Sequence, residues 1–173
     1  MRLLRFSFFI LAIFIIIFLI SFLLPSKVTV AKSVEINASQ ENVSRQITNF
    51  KNWESWYPAF KDENITVIKN SSGKDNLASV TLKDKNGKMI DLNLLGSAQN
   101  TIDIQLRSSS STKVNYQFIL TPKMNNQTQL TWNININLGW QPWKKIEGIL
   151  FDKFSGDQYE TALDNLRKAA ENN

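Results

Sequence analysis

Two residues stand nearest to acid–base chemistry: Glu54, set between Trp53 and Trp56, and Tyr116, on an apolar strand face. A buried carboxyl or phenol facing a cavity has its pKa shifted and can move a proton or hold a substrate oxygen. Either group would need a partner and a pocket. The 173-residue chain contains no histidine and no cysteine. That excludes Ser-His and Cys-His nucleophilic arrangements, thiol catalysis, disulfides, and metal sites built on His or Cys. Glu35, Asp91 and Asp103 are strand carboxylates on polar faces, where solvation is the simpler role. No catalytic residue, cofactor or metal ligand is assigned.

The apolar residues have more to offer. Tyr116, Phe118, Trp132 and Ile134 fall on the apolar faces of two neighbouring strands. A ligand pocket is mostly apolar with few polar groups, so these four are candidate cavity residues. An ordinary filled core needs the same alternation and stays an open alternative. Trp140 and Trp143 flank Pro142. They are read as packing in the core, with two alternatives: the two rings cap the cavity, or they meet lipid headgroups, where tryptophan is favoured. Trp140 is kept as a candidate cavity residue.

The elements that must position these residues are legible from periodicity. Val28 to Asn37 alternates as a first strand, and Ser39 caps a following helix with Glu41 in its first turn. Trp53 and Trp56 lie three apart on a second short helix, which Pro58 ends. The period then becomes two. Strands are marked by Ile65 and Val67; Ala78, Val80 and Leu82; Ile90, Leu92 and Leu94; Ile102, Ile104 and Leu106; Val114 to Leu120; and Leu130 to Leu138. Turns are expected at 71–75, at Asn86-Gly87, at 96–100, at 108–112 and at 122–127. After Gly139, Pro142 suits the first turn of a long helix from Trp143 to Ala170, whose apolar stripe includes Ile146, Ile149, Leu150, Phe154, Tyr159, Leu163 and Leu166. Gly148 and Gly156 inside it permit either a bend or close packing on the sheet. Short turns between successive strands predict a curved antiparallel sheet covered by that helix, an α+β fold.

The N-terminus is of another kind. Phe6 to Leu24 is apolar except for Ser7 and Ser21 and carries no charge. At ~1.5 Å per residue it reaches about 28 Å, close to the hydrocarbon thickness of a bilayer. Residues 1–25 are read as a cytoplasmic tip and transmembrane anchor, and 26–173 as one extracytoplasmic domain. Arg2 and Arg5 put the N-terminus inside. A cleaved signal peptide is the competing reading, against which stand the long apolar run and the poor cleavage site at Leu24-Pro25-Ser26-Lys27. The net charge is +5 and is spread without a basic block, so nucleic-acid binding is not expected.

The segments VTVAKSVEINASQENV (28–43), NFKNWESWYP (49–58) and KKIEGILFDKFSGDQYETALDNLRKAA (144–170), in this order of elements, resemble the START-like, or polyketide cyclase/dehydrase-like (SRPBCC), helix-grip superfamily. The pattern is similar to membrane-anchored bacterial members. The resemblance implies a helix-grip fold, with a cavity between the sheet and the last helix that holds lipids, polyketides or other apolar molecules. It implies no catalytic residue, because the superfamily has no universal one. Trp53, Trp56 and Tyr57 match the aromatic segment near the cavity mouth, where they either gate the entrance or plug the gap between short helices and sheet.

Three readings of function follow. The leading one is a non-enzymatic domain holding an apolar small molecule or lipid beside the membrane. The others are a cyclase- or hydrolase-like enzyme using Tyr116 or Glu54, and an envelope protein-interaction module.

Overall fold

The computed structural model describes residues 2–71, 78–108 and 113–172; within the last helix the side chains of 147 and 149–155 also lie outside the described part. The expected turn at 71–75 and loop at 108–112 therefore fall mostly outside it, as do the side chains of Ile149, Leu150 and Phe154.

Helix α1 (Arg2–Leu23) leaves its apolar side chains from Phe6 to Leu23 exposed and meets the rest of the chain at its last turn. It is the one helix among the described residues long and apolar enough to cross a bilayer, by length and composition. Strand β1 (Lys27–Ile36) follows almost at once. Helix α2 (Gln40–Thr48) begins where Ser39, in extended backbone, accepts a hydrogen bond from the Asn42 amide. Such a cap contributes about 1 kcal/mol. Val43 and Ile47 turn inward from α2, and Gln46 is buried beside them.

A 3₁₀ turn (Phe50–Asn52) leads into α3 (Trp53–Trp56). Pro58 does more than end this helix. Tyr57 is extended, as a residue before proline prefers, and Pro58 then opens a further short helix, α4 (Pro58–Lys61).

The strands β2 (Ile65–Ser71), β3 (Ser79–Asp84), β4 (Met89–Ala98), β5 (Thr101–Ser108), β6 (Lys113–Pro122) and β7 (Thr128–Asn137) complete one sheet. All neighbours are antiparallel, in the order β1-β7-β6-β5-β4-β3-β2. The β3–β4 hairpin turns at Gly87, whose φ of 79° suits glycine, while the Asp84 carboxylate accepts from the Asn86 and Lys88 amides. The turn expected from Gly96 comes later. A bulge between Leu94 and Gly96 shifts the register, sends Leu95 to the solvent face, and lets β4 run on to Ala98.

Helix α5 (Pro142–Glu171) lies across the apolar face. Its C-terminal half packs on β1, α2 and α3 through Tyr159, Ala162, Leu163, Leu166 and Ala170, all buried. Polar ties fix its position: Lys32 to Glu160 at 2.9 Å, the Asn37 amide to the Glu171 carboxylate at 2.8 Å, and Asn165 Nδ2 to the Trp56 carbonyl at 3.3 Å. Gly148 serves close packing, because a Cβ there would run into the Leu138 side chain. Sheet and helix together make the helix-grip arrangement.

Candidate functional site

The interior between the sheet and α5 is built around Trp132. On β7 it faces inward with Leu130, Ile134 and Ile136, and pairing in register with β6 sets Phe118 opposite Trp132 and Tyr116 opposite Ile134. Phe118 stacks on the Trp132 indole at 4.8 Å between centroids, and Tyr116 meets it edge-on at 5.1 Å. Tyr159 approaches from α5 at 5.0 Å, also edge-on. Trp56 and Tyr57 close the group from the α3 side at 6.2 and 6.1 Å. Edge-to-face and offset pairs of this kind add to simple area burial.

The α3 tryptophans are held by their nitrogens. Trp53 Nε1 donates to the Ile47 carbonyl at 2.8 Å and Trp56 Nε1 to the Gln46 carbonyl at 3.2 Å. Both accept positions lie in the last turn of α2, whose terminal carbonyls need donors. Trp53 and Trp56 are fully buried, so they plug the space between the short helices and the sheet, while Tyr57 is half-buried and reaches further in.

Within this apolar surround runs a line of polar atoms. The Tyr57 and Tyr116 hydroxyls are 3.0 Å apart, and those of Tyr116 and Tyr159 are 3.4 Å apart. In the same ring cluster, the Trp132 indole nitrogen is fully buried and has no hydrogen-bond partner among the described residues. Burial pushes the pKa of all three phenols up. The neighbouring Tyr159 adds to the rise at Tyr57, and Tyr57 and Tyr159 both add to it at Tyr116. Each hydroxyl therefore stays protonated at neutral pH. The cluster offers O–H and N–H donors to an oxygen atom; it does not offer a base.

The carboxylates lie elsewhere. Glu54 is exposed on α3. Glu35 pairs with Lys123 at 3.2 Å, Asp91 accepts from Thr81 at 2.7 Å, and Asp103 accepts from Gln117 at 3.2 Å, all on the solvent face of the sheet. Among the described residues no acidic side chain is buried, and no group of three His, Asp or Glu residues is placed to hold a metal ion. A recess of about 600 Å³ on that face is lined by polar residues such as Lys27, Asp103, Gln105 and Asn135 together with Leu95, Ile104, Tyr116 and Ile136.

The structure thus brings Trp56, Tyr57, Tyr116, Phe118, Trp132 and Ile134 to one interior, with Trp53 behind Trp56 at 4.6 Å between ring centroids. Trp140 is not among them: it stands 70% exposed just beyond β7. Trp143, at 61% exposed, also corrects the expectation of core packing for this pair. The chain turns at Gly139 in left-handed backbone (φ 67°), and α5 then starts at the rim of the sheet, where its first turn buries Pro142 and Lys145 but leaves Trp143 on the outer side. Tyr159 was not singled out as a site residue from the sequence. Its place on the Leu163–Leu166 stripe of α5 was the available signal, since that stripe faces the core.

The same architecture is found in solved structures of low sequence identity. An aromatase/cyclase from Streptomyces sp. R1128 is 12% identical, with a TM-score of 0.61 over 84% of this chain and 94% of that one. A START superfamily protein from Mycobacterium smegmatis is 18% identical, with a TM-score of 0.59 over 83% and 97%. A protein of unknown function from Staphylococcus aureus is 13% identical, with a TM-score of 0.61 over 84% and 96%. No curated protein is similar enough in sequence to match. The family described as polyketide cyclase / dehydrase and lipid transport matches residues 27–171, from the first residue of β1 to the last of α5. With the fold and nearly the whole domain in agreement, the chain is a member of the polyketide cyclase/dehydrase and lipid transport family.

Proposed function

We propose that residues 26–173 form a binding domain for an apolar molecule with a polar end, such as a lipid, and that residues 1–25 anchor it to a membrane with the domain on the outer side. The observation that carries the reading is the Trp132 indole N–H, buried without a partner among the described residues, in the same ring cluster as the Tyr57–Tyr116–Tyr159 hydroxyl line. An unsatisfied buried donor costs about 1–3 kcal/mol. A ligand carbonyl or hydroxyl oxygen seated between Trp132 and Tyr116 would remove that cost. The surrounding rings would bury its apolar part at ~25 cal/mol per Å². The rings touch one another in the unliganded chain, so binding requires them to part.

The acid–base alternative has less support. All three phenols are held in the neutral form, and the described carboxylates face solvent. The anchor is supported by the length and composition of α1, and its orientation by Arg2 and Arg5.

The test is extraction. The full chain is purified from its source into discs of one synthetic phospholipid, extracted with organic solvent, and analysed by mass spectrometry. A stoichiometric molecule other than the disc lipid, lost in a Trp132→Phe/Tyr116→Phe variant, is the expected result. A folded chain that carries nothing, and that takes up no fluorescent fatty acid or sterol probe, would leave the binding reading without support.

A further inference from the structure

Three tryptophans of the chain are fully buried; the other two are not. Trp140 and Trp143 are 70% and 61% exposed, and Ile146, one turn further along α5, is 47% exposed. Exposed tryptophans grouped with an aliphatic side chain at one corner of a domain need an account. The corner also carries positive charge. One recess of about 350 Å³ is lined by Trp140, Lys113 and Lys144, together with Asn137, Leu138, Gly139 and Gln141, with no acidic residue among the described ones on its walls.

The position of this corner relative to α1 is set by a buried lysine. Lys145, 5% exposed, donates from Nζ to the Ser21 carbonyl at 2.8 Å and to the Leu24 carbonyl at 3.1 Å. These carbonyls belong to the end of the apolar helix, where the i+4 amide donors run out and a cation complements the dipole; the Ser21 carbonyl also accepts from the Leu24 amide at 3.3 Å. The Leu138 amide donates to the Ser26 carbonyl at 2.9 Å, which carries the β1–β7 pairing one step towards both helices. The first turn of α5 is therefore clamped to the last turn of α1. If α1 spans a bilayer, residues 140–146 stand at the depth where hydrocarbon gives way to headgroups.

We infer that Trp140, Trp143 and Ile146, flanked by Lys113 and Lys144, form a membrane-docking surface that seats the first turn of α5 in the headgroup region of an anionic bilayer. Indole rings favour that zone, being apolar in body with one N–H donor. Lysines beside them attract anionic headgroups. The occupant is a lipid surface, because the corner is continuous with the exit of the apolar helix and its recess is basic. Docking there holds one end of α5, the helix that covers the aromatic interior, against the bilayer from which an apolar ligand would come. The inference rests on reading α1 as a membrane span. It does not depend on the ligand-binding reading.

The test uses the full chain in vesicles of phosphatidylethanolamine and phosphatidylglycerol with brominated acyl chains. Helix α1 contains no tryptophan, so quenching by bromine reports on the domain alone. Tryptophan emission is expected to be quenched, and the quenching largely lost in Trp140→Phe/Trp143→Phe. A chain that resists alkaline carbonate extraction but shows no quenching, or equal quenching in the variant, overturns the docking surface and leaves the anchor standing. The same holds if the two rings are shielded by a second copy, seen as cross-linking between copies at position 140. Release of the chain by carbonate would remove the anchor reading, and the docking surface with it.

Discussion

The phenol oxygens of Tyr57 and Tyr116, 59 positions apart in the chain, meet at 3.0 Å in the interior of the domain. One comes from the break between two short helices and the other from the middle of β6. Tyr159 on α5 extends the line at 3.4 Å. The three elements that enclose the interior are thus joined at a single polar point within apolar rings. The chain has only these three tyrosines.

That arrangement makes stability fall in alkali. The folded pKa of each phenol is raised above 10, so the native state keeps its protons to higher pH than the unfolded chain does. The contribution is fully present below about pH 10 and is lost as pH rises beyond it. Urea unfolding between pH 8 and 11.5 should show flat stability, then a decline. Tyrosinate absorbance near 295 nm should appear only with unfolding. A tyrosinate signal at pH 10 in the folded chain would contradict the buried cluster.

Trp132→Phe separates stability from binding. The substitution removes a buried donor that has no partner and keeps an aromatic ring. Loss of ring volume costs about 1 kcal/mol or somewhat more, and removal of the orphan N–H returns about 1–3 kcal/mol. The unliganded variant should therefore be within about 1 kcal/mol of the parent or more stable, by thermal or denaturant unfolding. Its uptake of an apolar probe with a carbonyl group should drop. A loss of several kcal/mol would mean the indole nitrogen is satisfied in solution.

Tyr116→Phe acts in the middle of the hydroxyl line. It removes a hydroxyl shared by Tyr57 and Tyr159, at a cost of about 1 kcal/mol for each hydrogen bond lost. Tyr57→Phe, at the half-buried end of the line, should cost less. Paired unfolding curves would test the ranking, and the reverse order would place the centre of the network elsewhere.

Gly148→Ala sets two effects against each other. Alanine favours the helix by about 1 kcal/mol, but its Cβ would enter the space of the Leu138 side chain, and overpacking costs about 1–3 kcal/mol. Net destabilisation is expected. Leu138→Ala in the same chain should relieve it, visible as a coupling energy in a double-mutant cycle. Additive effects would mean the two residues do not touch.

Lys145→Met keeps the apolar stem and removes the ammonium that meets the Ser21 and Leu24 carbonyls. Hydrogen bonds to a charged group contribute about 1.5–3 kcal/mol. The domain itself should stay folded while its hold on α1 loosens. Spin-label distances between α1 and β7 should broaden in the variant, and an unchanged distribution would show that Lys145 does not clamp them.

Much of this fold was legible from residue order. Period-two alternation from Leu130 to Leu138 assigns one face of β7 to the core and the other to water, because side chains on a strand must alternate. The Ser39 cap, the Asn86-Gly87 turn and the apolar run of α1 are local chemistry, set by a few neighbouring residues each. Local rules go no further than the element they describe. They let Pro58 end one helix, but its opening of α4 depends on the path taken by the segment beyond it. They placed a turn at Gly96, where the pairing of β4 with β5 instead accommodates a bulge at Leu95.

The site itself was decided by tertiary structure. Alternation puts Tyr116, Phe118 and Trp132 on inward faces, but strand register and helix placement determine that Tyr57 and Tyr159 bring their hydroxyls to them. Composition makes Trp140 and Trp143 look like core residues. Their exposure follows from the turn at Gly139 and from where α5 begins relative to the sheet. Burial belongs to the assembled packing of distant segments, whereas periodicity belongs to the backbone of one.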